Sequence, residues 1–190
     1  NAVCYLQLVW AAELSGFSVS PDGKHIAALG ARGDERVIMV WDMERPDAQP
    51  TLIGAAQMRI SGVTFVKNDV LGVSLWQPYA SAGGGNTKIF LTKFMLTDLG
   101  GRDWRDPMSV MRTRSEADEE YARLASPQLL DTLPNDPENI LLSIGAEGYR
   151  LNVRTNRSER IQRAGERTVG YDTDLTGALR SRANADREAH

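Results

Sequence analysis

Residues 17–43, FSVSPDGKHIAALGARGDERVIMVWDM, spell three short apolar runs separated by two turns. In Pro21-Asp22-Gly23 the proline presets its φ, the aspartate carboxylate can accept from nearby backbone, and the glycine tolerates positive φ. Phe17-Ser18-Val19 precedes that turn and Ile26-Ala27-Ala28-Leu29 follows it. A second turn over residues 30–35 leads into Val37-Ile38-Met39-Val40-Trp41. Runs of this length, rich in β-forming residues and bounded by breakers, predict a β-meander.

The pattern recurs along the chain. GVTFVKNDVLGVSLW (62–76) again reads strand, Asn68-Asp69 turn, strand. After a Gly-rich hairpin loop, KIFLTKFML (88–96) matches ERVIMVWDM (35–43) in place and character. The third copy is LLDTLPNDPENILLSI (129–144), a hairpin at 145–148, YRLNVRT (149–155) and SERIQR (158–163). A fourth begins at TVGYDTDLTGALRSR (168–182) and does not complete.

Four-stranded units returning about every 40–50 residues predict a β-propeller. The strands are near-continuous apolar runs, which suits sheets covered on both faces by their neighbours. The expected fold is therefore all-β: an incomplete β-propeller of about three and a half four-stranded antiparallel blades. Blades are placed at 15–56, 57–114 and 128–165, with a partial one at 166–190, a lead-in at 1–14 and a short helical insertion at 115–127. In the insertion, Ser115 and Asp118 resemble a capping box, with Tyr121 and Leu124 at helical spacing. Too few blades to close a ring, and a start at Asn1, predict a portion of a longer protein. An open ring leaves an apolar face bare on each terminal blade, which predicts self-association.

Composition narrows the function classes. The chain of 190 residues is 42% hydrophobic and 25% charged, a globular balance. A net charge of −3 supplies no basic field for nucleic acid. One cysteine, Cys4, excludes an internal disulfide and a zinc site built from cysteines. AVCYLQLVWAAEL (2–14) is too short for a membrane span, and no basic segment precedes it as in a signal peptide. It reads as a lead-in packed on the domain.

The motifs that could carry chemistry are incomplete. The nearest approach to a G-x-S-x-G nucleophile elbow, Gly72-Val73-Ser74-Leu75-Trp76, lacks the closing glycine and lies inside an expected strand. The two histidines, His25 beside the first turn and His190 at the last position, form no Ser-His-Asp pattern. A Cys4–His25 dyad is no better supported than a small hydrophobe and a surface histidine. DTDLTG (172–177) has two carboxylates but not the other ligands of a calcium loop, and reads as a turn at a blade edge. SAGGGNT (81–87) lacks the Lys-Ser/Thr of a phosphate loop and reads as a hairpin tip. The arginines between 150 and 167 alternate with glutamates and read as solvated strand faces. The residues therefore assign no catalytic, cofactor-binding or metal-ligating position, and leave substrate-binding positions open.

Two of these segments also resemble a known family. SGFSVSPDGKHIAAL (15–29) looks like the opening of the first blade in prolyl oligopeptidase-family serine peptidases, which include acylaminoacyl peptidases and dipeptidyl peptidases. LLDTLPNDPENILLSI followed by YRLNVRTNRSERI (149–161) is similar to a mid-propeller blade of bacterial members. There LP-D-P-x-x-(I/V)-L precedes a strand and V-x-T-G marks a hairpin. Asn156 stands here at the glycine, and asparagine also tolerates the left-handed conformation. The resemblance covers residues 15–182 by blade order and turn motifs.

It implies a propeller that caps a C-terminal α/β-hydrolase domain of the same polypeptide, where the Ser-Asp-His triad would perform proteolysis. That domain has no counterpart in these residues, so no catalytic residue carries over and no cofactor is implied. The implied role is gating of peptide substrates, with a periplasmic or secreted setting as in bacterial relatives. Asp118-Glu119-Glu120-Tyr121 superficially resembles the glutamate pair by which dipeptidyl peptidases hold a substrate amine. The aromatic residues that normally precede the pair are missing, and an acidic first helical turn accounts for it. The alternative is a TolB-like or other propeller that binds protein partners and has no enzymatic activity.

Overall fold

A computed structural model describes residues 14–80, 88–110, 126–145, 147–162, 168–174 and 179–184. The first turn forms as its residues predict: Gly23 sits at φ 72°, and its amide donates to the Ser20 carbonyl over 2.8 Å. Around it, β1 (Ser15–Val19), β2 (His25–Arg32), β3 (Glu35–Asp42) and β4 (Thr51–Ile53) pair in sequence order as one antiparallel sheet. A second sheet contains β5 (Arg59–Lys67), β6 (Val70–Ala80) and β7 (Lys88–Asp98). The third runs β8 (Gln128–Asp131), β9 (Asn139–Ile144), β10 (Glu147–Asn152) and β11 (Arg157–Gln162), and β12 (Thr168–Thr173) pairs with β13 (Leu179–Asn184). The fold is thus all-β and built of consecutive antiparallel meanders, which are blade-like. Of the insertion expected at 115–127, residues 115–125 lie outside the described residues, as do the Gly-rich tip at 81–87 and residues 1–13.

Side chains alternate across a strand, so each sheet offers two faces. Phe65, Leu71, Val73 and Leu75 of the second sheet pack against Ala27, Leu29, Ile38, Val40 and Ile53 of the first. From its other face Val66, Val70, Phe94 and Leu96 pack against Ile140, Leu142, Leu151 and Val153 of the third. The second sheet is therefore the middle layer of a stack. Each buried aliphatic side chain contributes about 1.5–3 kcal/mol, so both seams are substantial.

Two departures from expectation stand out. The second sheet has three strands among the described residues, not four. Arg105 pairs with Leu96 in a single antiparallel bridge, and the chain then turns into a 3-10 helix, η1 (Pro107–Val110). Pro107 has no amide to donate to a ladder. Asp106 stabilises the departure, its carboxylate accepting from the Met108 amide at 2.8 Å and its carbonyl from the Ser109 amide at 3.1 Å. The other is the outward face of the first sheet, expected to be bare: Ala28, Val37 and Met39 there are buried, while Val19 at 56% and Leu52 at 40% stay exposed, and Leu14 and Met39 lie against Gly30.

Candidate functional site

In an up-and-down meander, the turns after the first and third strands lie at the same end of the sheet. Three residues at the close of the third strand, Asp42, Asp98 and Asn152, take up the same task there. Asp42 accepts from the Glu44 amide at 2.9 Å. Asp98 accepts from the Arg102 and Asp103 amides at 2.7 and 3.1 Å. Asn152 accepts from the Arg154 and Thr155 amides at 2.9 and 3.0 Å. A short side-chain oxygen that bonds its own following backbone makes a compact turn. The Arg45 guanidinium, followed by the Glu44 amide, holds the Asp42 carboxyl below its ordinary range. For Asp98 burial pushes upward, and the amides of Arg102, Asp103 and Gly100 outweigh it.

The turns after the first strand are joined to one another across the seams. Asn68 accepts from the Asp22 amide at 3.1 Å, tying the second sheet's turn to the first. Lys67 reaches the other way. Its ammonium, on a residue 6% exposed, donates to the carbonyls of Thr132 at 2.5 Å and Leu133 at 3.0 Å, and also to Asp136. Burial drives the Lys67 ammonium below its ordinary pKa, while the charges of Asp136 and Asp131 act in the opposite direction. Three acceptors match the three donors of an ammonium, which is what a buried cation requires.

Charged pairs reinforce the same end. Arg154 forks onto Asp69 with contacts of 2.6 and 2.7 Å, a bidentate pair between the third and second sheets. Arg105 donates to the Val153 carbonyl, and the Asn156 amide group donates to the Asp106 carbonyl at 3.1 Å. Asp136 accepts from Arg150, from the Glu138 amide at 3.0 Å and from both Asn139 donors. Burial raises the Asp136 carboxyl, yet these donors together hold it far below the ordinary carboxylate range. The result is a polar rim joining three sheets.

Among the described residues, the groups of the rim bond chiefly to one another and to main chain. His25 begins β2 as the sequence predicts, and its Nδ1 is buried without a hydrogen-bond partner. Ser74 lies inside β6, and its carbonyl accepts from the Ser61 hydroxyl at 3.1 Å. Of the arginines between 150 and 167, Arg150, Arg154 and Arg160 pair with Asp136, Asp69 and Glu147, and Arg154 thereby joins two sheets instead of lying free on a strand face. Among the described residues no group of His, Cys, Asp and Glu side chains could hold a metal ion. No helix among them is long and apolar enough to cross a membrane. Cys4, His190, the acidic run 118–121 and residues 175–177 lie outside the described residues.

Sequence reasoning passed over Lys67 and Arg105, and read Asp69 only as a turn residue and Arg154 only as part of a solvated charged run. The Asn68-Asp69 turn was visible, but its neighbours' partners lie far along the chain. The other missed feature is aromatic. Trp76 and Phe90 meet edge to face with centroids 5.4 Å apart at 74°, and the Arg59 guanidinium lies 5.5 Å from the Trp76 ring centre.

No protein-family model matches the sequence, and no curated protein matches it. Among solved structures, an acylaminoacyl peptidase in complex with Z-Gly-Gly-Phe-chloromethyl ketone is similar with a TM-score of 0.49 and 15% identity, over 80% of this chain and 25% of that chain. The AtxE2 isopeptidase in its apo form gives a TM-score of 0.36 and 12% identity, over 76% of this chain and 33% of that chain. A variant of that isopeptidase gives 0.36 and 11%, over 86% of this chain and 39% of that chain. The chain thus spans between 25% and 39% of the length of these structures.

Proposed function

We propose that this chain supplies the non-catalytic propeller portion of a prolyl oligopeptidase-like serine peptidase, capping a hydrolase domain of the same polypeptide and gating the entry of peptide substrates. The observation that carries the reading is where the two family-like segments fall. SPDG forms the turn between the first and second strands of one four-stranded sheet, and LPNDPENILL spans the same turn and the start of the second strand in another. The second sheet's Asn68 and Lys67 bind one turn each. Motifs that the resemblance assigns to a first and a mid-propeller blade thus occupy equivalent places in the first and third meanders of the stack. A rim clamped by buried and bidentate charges suits a gate that excludes folded proteins, because it resists deformation by a bulky substrate.

Catalysis by acyl transfer at a serine would belong to the hydrolase domain. The 190-residue chain should therefore hydrolyse neither peptide nor ester substrates. The coding sequence beyond His190 should contain a G-x-S-x-G elbow followed by Asp and His. Turnover by this chain that a serine-reactive inhibitor abolishes would overturn the proposal. So would a reading frame that continues only into further blades and then stops, the signature of a binding module. That second reading draws support from Phe90, which is 54% exposed beside Trp76.

A further inference from the structure

We draw no further inference here: the strongest candidate, the surface patch on the second sheet where the Arg59 guanidinium lies over the Trp76 ring beside the exposed Phe90, carries nothing, because nothing in the structure shows what covers it.

Discussion

Lys67 places a cation among main-chain carbonyls contributed by one loop of the next sheet, and its charge is matched by acceptors instead of water. Replacing it with methionine keeps an apolar stem of similar reach and removes one donor from each of three carbonyls, of which Leu133 still accepts from the Asp136 amide at 3.0 Å. Lys67→Met should lower stability by about 2–4 kcal/mol, read as a lower urea midpoint at unchanged slope. An unchanged midpoint would mean that the ammonium contributes nothing net to the seam. None of this was legible in the sequence. A lysine before Asn-Asp reads as the exposed shoulder of a turn, and its burial depends on carbonyls of residues 132–136. By contrast, Asn156 was legible because a local rule governs it: it stands where a hairpin glycine is expected and adopts φ 54°.

Strands show the same division between local and distant causes. The existence of β2, β3, β6, β7 and β9 followed from apolar runs bounded by turn residues. That the second sheet has three strands among the described residues did not, although Asp106 and Pro107 mark the departure. Matching 88–96 to 35–43 suggested a complete blade and hid that signal. Gly72 is a further case in which packing decides. A Cβ there would lie 2.6 Å from the Phe94 ring and 3.0 Å from Val66, so glycine is what lets the ring pack this close to β6. Gly72→Ala should cost about 1–3 kcal/mol by overpacking, measured by denaturant unfolding. Trimming the ring in Gly72→Ala/Phe94→Leu should cost less than the sum of the two single changes. Strict additivity would show that the methyl is accommodated elsewhere.

At the scale of the whole molecule, the account rests on a layered order: first sheet, second sheet, third sheet, with two separate apolar seams. The order was legible from the repeat, because near-continuous apolar strands need cover on both faces. The polar rim that locks the layers was not, since it depends on pairs such as Asp69 and Arg154 brought together by folding. Methyl-to-methyl and methyl-to-aromatic nuclear Overhauser effects test the layering most directly. The Leu71 and Val73 methyls should show contacts to Ile38 and Ile53, and those of Val66 and Leu96 to Leu142 and Leu151. The Ile38 and Leu142 methyls should show none to each other. Strong contacts between Ile38 and Leu142 would mean a single merged core and would contradict the stack of blade-like sheets.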